Sequence, residues 1–199
     1  MEQQEKALNP QESLRIIRET IDLAKSSFHE NGFHFLLWGW LVVLCCVAHY
    51  YLEVVAQSAH PELAWMAMTA VGVPVALIYE WRRGKRQKVN NLVRTWHGLI
   101  WLGFGISMVI AIPFAVRNGL SPIPVVLVLS GFATFMSGVL LRFRPLLVGA
   151  AVIWAGGLAC LWLSPVQHLL VQAIVTALGY LVPGYMLHLQ SRSSHVQRT

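Results

Sequence analysis

The sequence predicts an all-α fold, a polytopic membrane bundle of six transmembrane helices. Three observations predict it. The 199-residue chain is 56% hydrophobic and only 12% charged, whereas a soluble domain carries about 25% charged residues. Its apolar residues gather into six runs, each near the 17–25 residues that cross the hydrocarbon core. The basic residues alternate between connecting segments, as they do when they set topology.

The runs cover residues 33–56, 63–81, 96–116, 122–141, 146–163 and 166–189. Strands of a membrane barrel would instead alternate over segments of about 10 residues. Fourteen Lys and Arg fall in the N-terminal segment, the second and fourth loops and the tail; the other three loops hold only Arg117. Bases stay on the cytoplasmic side, so both termini are expected in the cytoplasm of a bacterial inner membrane. The short connections Arg142-Phe143-Arg144-Pro145 and Ser164-Pro165 demand antiparallel neighbours. Length leaves room for one membrane domain (33–189), a cytoplasmic N-terminal helix (1–32) and a basic tail (190–199).

The net charge of +6 does not point to nucleic acid. All nine acids lie at or before Glu80, and the later bases are confined to loops. No nucleic-acid partner is expected. Cys45, Cys46 and Cys160 sit inside apolar runs and read as small packing residues. The polar, acidic start lacks the layout of a secretory signal, so the first run is expected to stay as an anchor.

The N-terminal segment has helix punctuation. Asn9 suits the N-cap, Pro10 the first helical position, Glu12 the positive end, and Asn31-Gly32 the stop. Leu14, Ile17, Ile21, Ala24 and Phe28 form one apolar stripe at steps of three and four. Six acids against four bases over residues 1–32 disfavour a lipid-surface helix, which is usually rich in Lys and Arg. The stripe is therefore the candidate partner-binding surface, for another protein or a second copy.

The loop after the second span holds Arg82, Arg83, Lys85, Arg86, Lys88 and Arg94 without an acid. Its bases are candidates for lipid head-group contact, at about 1 kcal/mol each. A shared pattern links the odd spans: Leu37-Trp38-Gly39, Ile100-Trp101-Leu102-Gly103 and Ile153-Trp154-Ala155-Gly156. Gly72 with Pro74 and Gly179 with Pro183 repeat in two even spans. The pattern suggests three repeated helical hairpins.

Four outer-face residues, His49, Glu53, His60 and Glu62, have the donor types of a divalent-metal site, without the spacing of an established motif. His34, His97 and His188 fall near the inner face, where paired histidines can ligate haem. Neither group has a motif behind it, so no cofactor is expected. Small residues at four-residue spacing, such as Gly103 with Ser107 and Thr134 with Gly138, read as packing seams. Pro74, Pro113 and Pro183 interrupt three spans and free carbonyls at membrane depth. The chain lacks GxSxG, a P-loop, HExxH and a strand-borne GxGxxG, and no Asp follows Asp22.

The layout resembles a group of small six-span bacterial membrane proteins that carry an N-terminal amphipathic helix. The residues behind the resemblance are Asn9-Pro10-Gln11-Glu12-Ser13-Leu14, Phe35-Leu36-Leu37-Trp38-Gly39-Trp40 and Tyr180-Leu181-Val182-Pro183-Gly184-Tyr185. It implies the fold and no activity. The expected function is non-enzymatic: a small membrane protein acting through helix contacts, as sensor, anchor or accessory subunit. The alternative is a small-solute or ion transporter with a mid-membrane site among the Pro-broken helices.

Overall fold

The computed structural model describes residues 32–84 and 92–196. Six helices in it are long and apolar enough to cross a membrane, so the protein is an all-α membrane bundle. They are α1 (Gly32–Val55), α2 (Leu63–Gly84), α3 (Leu92–Arg117), α4 (Ile123–Leu140), α5 (Arg144–Ala159) and a composite last span. That span joins α6 (Pro165–Thr176), a π-helical turn (Ala177–Leu181) and α7 (Val182–Val196). α7 thus carries helix past the apolar window, which ends at Leu189, into the segment expected as a tail.

The last three spans form the packed half. Small residues let them approach closely. A methyl group on Gly149 of α5 would lie 2.7 Å from the Gly179 carbonyl oxygen, and one on Gly156 would lie 2.6 Å from Val175. On α4, Gly131 receives the Trp154 ring, whose Nε1–H donates to the Val128 carbonyl at 3.0 Å. The expected seam of Thr134 with Gly138 is buried, with Gly138 against Leu146 and Leu147 of α5. Leu127, Leu146 and Ile153 are almost fully enclosed.

α1 closes the bundle between the last span and α2. Gly32 and Gly39 lie against Leu187 and Leu181, and Gly72 of α2 lies against Trp38. α2 and α3 are peripheral: 6% of each apolar window is buried, against 50% for the last span. Trp81 and Trp96 at one end, and Trp162 at the other, are exposed near the ends of their spans, where tryptophan is enriched in membrane proteins.

The turns have local causes. Arg142 takes φ 51°. Its N–H bonds Val139 O at 3.1 Å and the Phe143 N–H bonds Gly138 O at 2.9 Å. This pair of bonds is the Schellman stop that reverses α4 into α5. α6 starts at Pro165, with the Ser164 N–H donating to Gln167 Oε1 at 2.9 Å. Pro183 cannot donate to the carbonyl four residues earlier. The widened turn at Ala177–Leu181 directly precedes it.

The tryptophans of the shared sequence pattern have non-equivalent surroundings. Trp38 faces Gly72 of the following helix, Trp154 binds the preceding helix, and Trp101 packs with Phe35 and Tyr180. Helix order within a hairpin therefore does not reproduce one packing unit three times.

Candidate functional site

Polar side chains line the interior of the packed half. His168, Gln172, Thr176 and Tyr180 follow one another at four-residue steps along the last span, and all four are buried. Such spacing places them on one helix face. Ser130, Thr134 and Ser137 make a matching buried stripe on α4. The hydroxyls of Ser130, Thr134 and Ser137 donate to Leu127 O, Ser130 O and Ala133 O at 3.2, 2.7 and 2.8 Å. Their oxygens remain as acceptors, and the Tyr180 phenol lies within reach of those of Thr134 and Ser130.

At the Ser164 end, His168 Nε2 faces two carbonyl oxygens, Cys160 O at 2.9 Å and Leu163 O at 3.1 Å. In the neutral ring those two acceptors hold the proton on Nε2, so Nδ1 is a bare lone pair. It has no protein partner, and neither does Gln172 Oε1 one turn away.

At the other end, an aromatic cluster joins α1, α3 and the π turn. The Trp101 ring lies 5.8 Å from Phe35, 6.2 Å from Tyr180 and 6.2 Å from His97. Trp101 Nε1 and His97 Nδ1 are buried without a protein partner. Next to them, His34 of α1 meets Glu80 of α2 at 2.8 Å. His97 is within electrostatic reach of both. Tyr79 stacks on Phe33 at 3.8 Å beside the pair.

The four buried side-chain atoms without a partner among the described residues are His97 Nδ1, Trp101 Nε1, His168 Nδ1 and Gln172 Oε1. All belong to this polar line. An unpaired buried polar atom costs about 1–3 kcal/mol, so each is a place where a small polar guest lowers the free energy.

The residues expected at the outer face form two pairs. His49 Nδ1 accepts from Trp65 Nε1–H at 2.7 Å, which leaves Nε2 to face Glu53 at 3.5 Å. His60 Nδ1 lies 3.0 Å from Glu62 on the exposed connection. The Glu62 carboxyl is held below its ordinary pKa by its own backbone N–H first and by His60 second. His49 acts on Glu62 through space, yet no three such ligands gather into a metal-holding group among the described residues. A metal at His49 would displace one of two existing partners.

Of the other expected sites, Leu14, Ile17, Ile21, Ala24 and Phe28 lie outside the described residues, as do Lys85, Arg86 and Lys88. Arg82 and Arg83 lie in the last turn of α2, with Arg82 exposed. Pro74 and Pro113 face outward, and of the three interrupting prolines only Pro183 is buried.

No charge marks the polar line in the sequence, because Gln172, Thr176 and Tyr180 are neutral side chains. The available signal was their four-residue register. The His34–Glu80 pair spans 46 positions and needs the packed helices to exist. No protein family, curated protein or solved structure matches this chain.

Proposed function

We propose that the protein acts through helix contacts within a bacterial inner membrane, as an accessory or assembly subunit without catalysis. The observation that carries this reading is the low burial of α2 and α3, 6% of each apolar window. Gly98, Gly103 and Gly105 of α3 have open space where a side chain would be. Each costs helix stability, about 1 kcal/mol relative to Ala, and gains something only where another helix comes close. The stripe Leu14, Ile17, Ile21, Ala24 and Phe28 supplies a second contact on the cytoplasmic side. Fourteen bases on one side against one on the other support cytoplasmic termini, with the loop from Arg82 onward against anionic head groups.

A photo-crosslinking residue at Val109, which is 76% exposed on α3, tests the reading at native expression level. Leu158 on α5, 61% exposed, is the lipid-facing control. A discrete protein adduct, with another chain or a second copy, is expected from Val109 and only lipid from Leu158. Identical lipid adducts at both positions would sink the idea.

A second reading, an ion transporter, is favoured by the buried polar line. Its site differs from the one the prolines suggest: it lies between α4 and the last span and runs on to the aromatic cluster.

A further inference from the structure

We propose that the transported ion is the proton, carried along the buried line from His168 to the His34–Glu80 pair. This rests on the ion-transporter reading above. The line favours a proton over a metal cation because of its chemistry. Hydroxyl and imidazole groups can pass a proton by exchange of hydrogen bonds, and an amide such as that of Gln172 can hold the water that does. No carboxylate lies among the residues of the line between its two ends, so nothing there balances a bare Na⁺ or K⁺ at depth.

At the His168 end, Nδ1 and Gln172 Oε1 are both acceptors without protein partners. Their complement is a donor, and water is the smallest one. Further along, the Tyr180 hydroxyl is within reach of the Ser130 and Thr134 oxygens and can donate to either one. It can instead turn to a water and accept from it. Trp101 Nε1–H then anchors a water by donation, and His97 Nδ1 lies beside it. The His34–Glu80 pair is partly exposed, at 22% and 38% of its side chains, so it opens the line to solvent.

In each step one O–H or N–H bond breaks as the next forms. A hydronium at one end gives up a proton, a water at the other end takes one, and the relaying hydroxyls and rings, left reversed by the transfer, turn back before the next proton. No oxidant or co-reactant is consumed. Trp101 keeps its proton throughout and only positions water.

The test uses the whole chain in proteoliposomes enclosing a pH-sensitive dye, with a valinomycin-set potassium potential as driving force. Flux well above that of empty vesicles is expected, falling at least tenfold in Gln172→Leu. Tyr180→Phe, which removes one hydroxyl and keeps the ring, is the second variant should Gln172→Leu not fold; circular dichroism and gel filtration report folding. Undiminished proton flux in both folded variants overturns the path. Sodium or potassium flux without proton flux overturns the proton assignment and leaves the transporter reading standing. No flux of any of these ions overturns both.

Discussion

A methyl group at Gly149 would meet backbone on every side that matters: Gly179 O at 2.7 Å and Gly179 Cα at 3.1 Å. Backbone cannot turn aside as a side chain can. Gly149→Ala should therefore destabilise the bundle by about 1–3 kcal/mol, the usual penalty of overpacking, and lower its unfolding temperature in detergent. Gly103→Ala is the contrast. Nothing lies within 4 Å of that position, and Ala is the better helix former by about 1 kcal/mol. Its unfolding temperature should hold or rise, and equal losses in the two variants would refute the packing argument. Glu62 carries the pH prediction at this scale. Its folded pKa is lowered by its own backbone N–H and by His60. The resulting stabilisation is present above the ordinary carboxylate value and disappears as pH falls through the folded one. Carboxyl NMR should place the Glu62 midpoint below that of a free side chain. In His60→Ala the midpoint should move up only part of the way, because the backbone bond persists.

Among the elements, the last span is the most revealing, because a single imino acid shapes it. Pro183 withholds an N–H from the carbonyl of Gly179, and the turn at Ala177–Leu181 widens to π geometry. The Val182 N–H bonds the Ala177 carbonyl across it. The widened turn carries Tyr180, and so sets where the phenol meets α4. Pro183→Ala restores the donor. Amide hydrogen exchange over residues 176–183 should slow as the turn tightens toward α-helix, with a changed Tyr180 environment in near-ultraviolet circular dichroism. Unchanged exchange would mean that the contact of Gly149 with Gly179 holds the turn by itself. Helix positions were legible in the chain because apolar length is a local property. The expected run 166–189 and the observed Pro165–Leu189 differ by one residue. The π turn was not legible, since Pro183 is one of three span prolines and only packing distinguishes it from Pro74 and Pro113.

At the scale of the whole molecule, the bundle divides into a packed half built on glycine seams and a peripheral pair, α2 and α3. Hydropathy cannot see this division. α3 has the highest mean hydropathy of the six spans, 2.3, and yet has 6% of its window buried. In lipid an apolar residue is equally content outside the bundle or in it, so apolar character stops reporting burial. What did report burial was polarity: His168, Gln172, Thr176 and Tyr180 had to turn inward, since hydrocarbon cannot satisfy them. Reading the spans for their polar register, not for their charges, is how the interior face could have been found. The pairing of His34 with Glu80 had no such signal, because it joins two helices whose relative rotation the sequence leaves open.

The close contact of Gly32 with Leu187, 3.2 Å from a methyl at Gly32 to the leucine Cβ, has a topological consequence. The first span and the last are neighbours, so the two ends of the membrane domain meet within the bundle. Where the membrane domain begins is then independent of how it packs. A circular permutant of the membrane domain, with Leu189 linked to Gly32 and a new opening at the exposed Gly119 turn, would keep each helix beside the same neighbours.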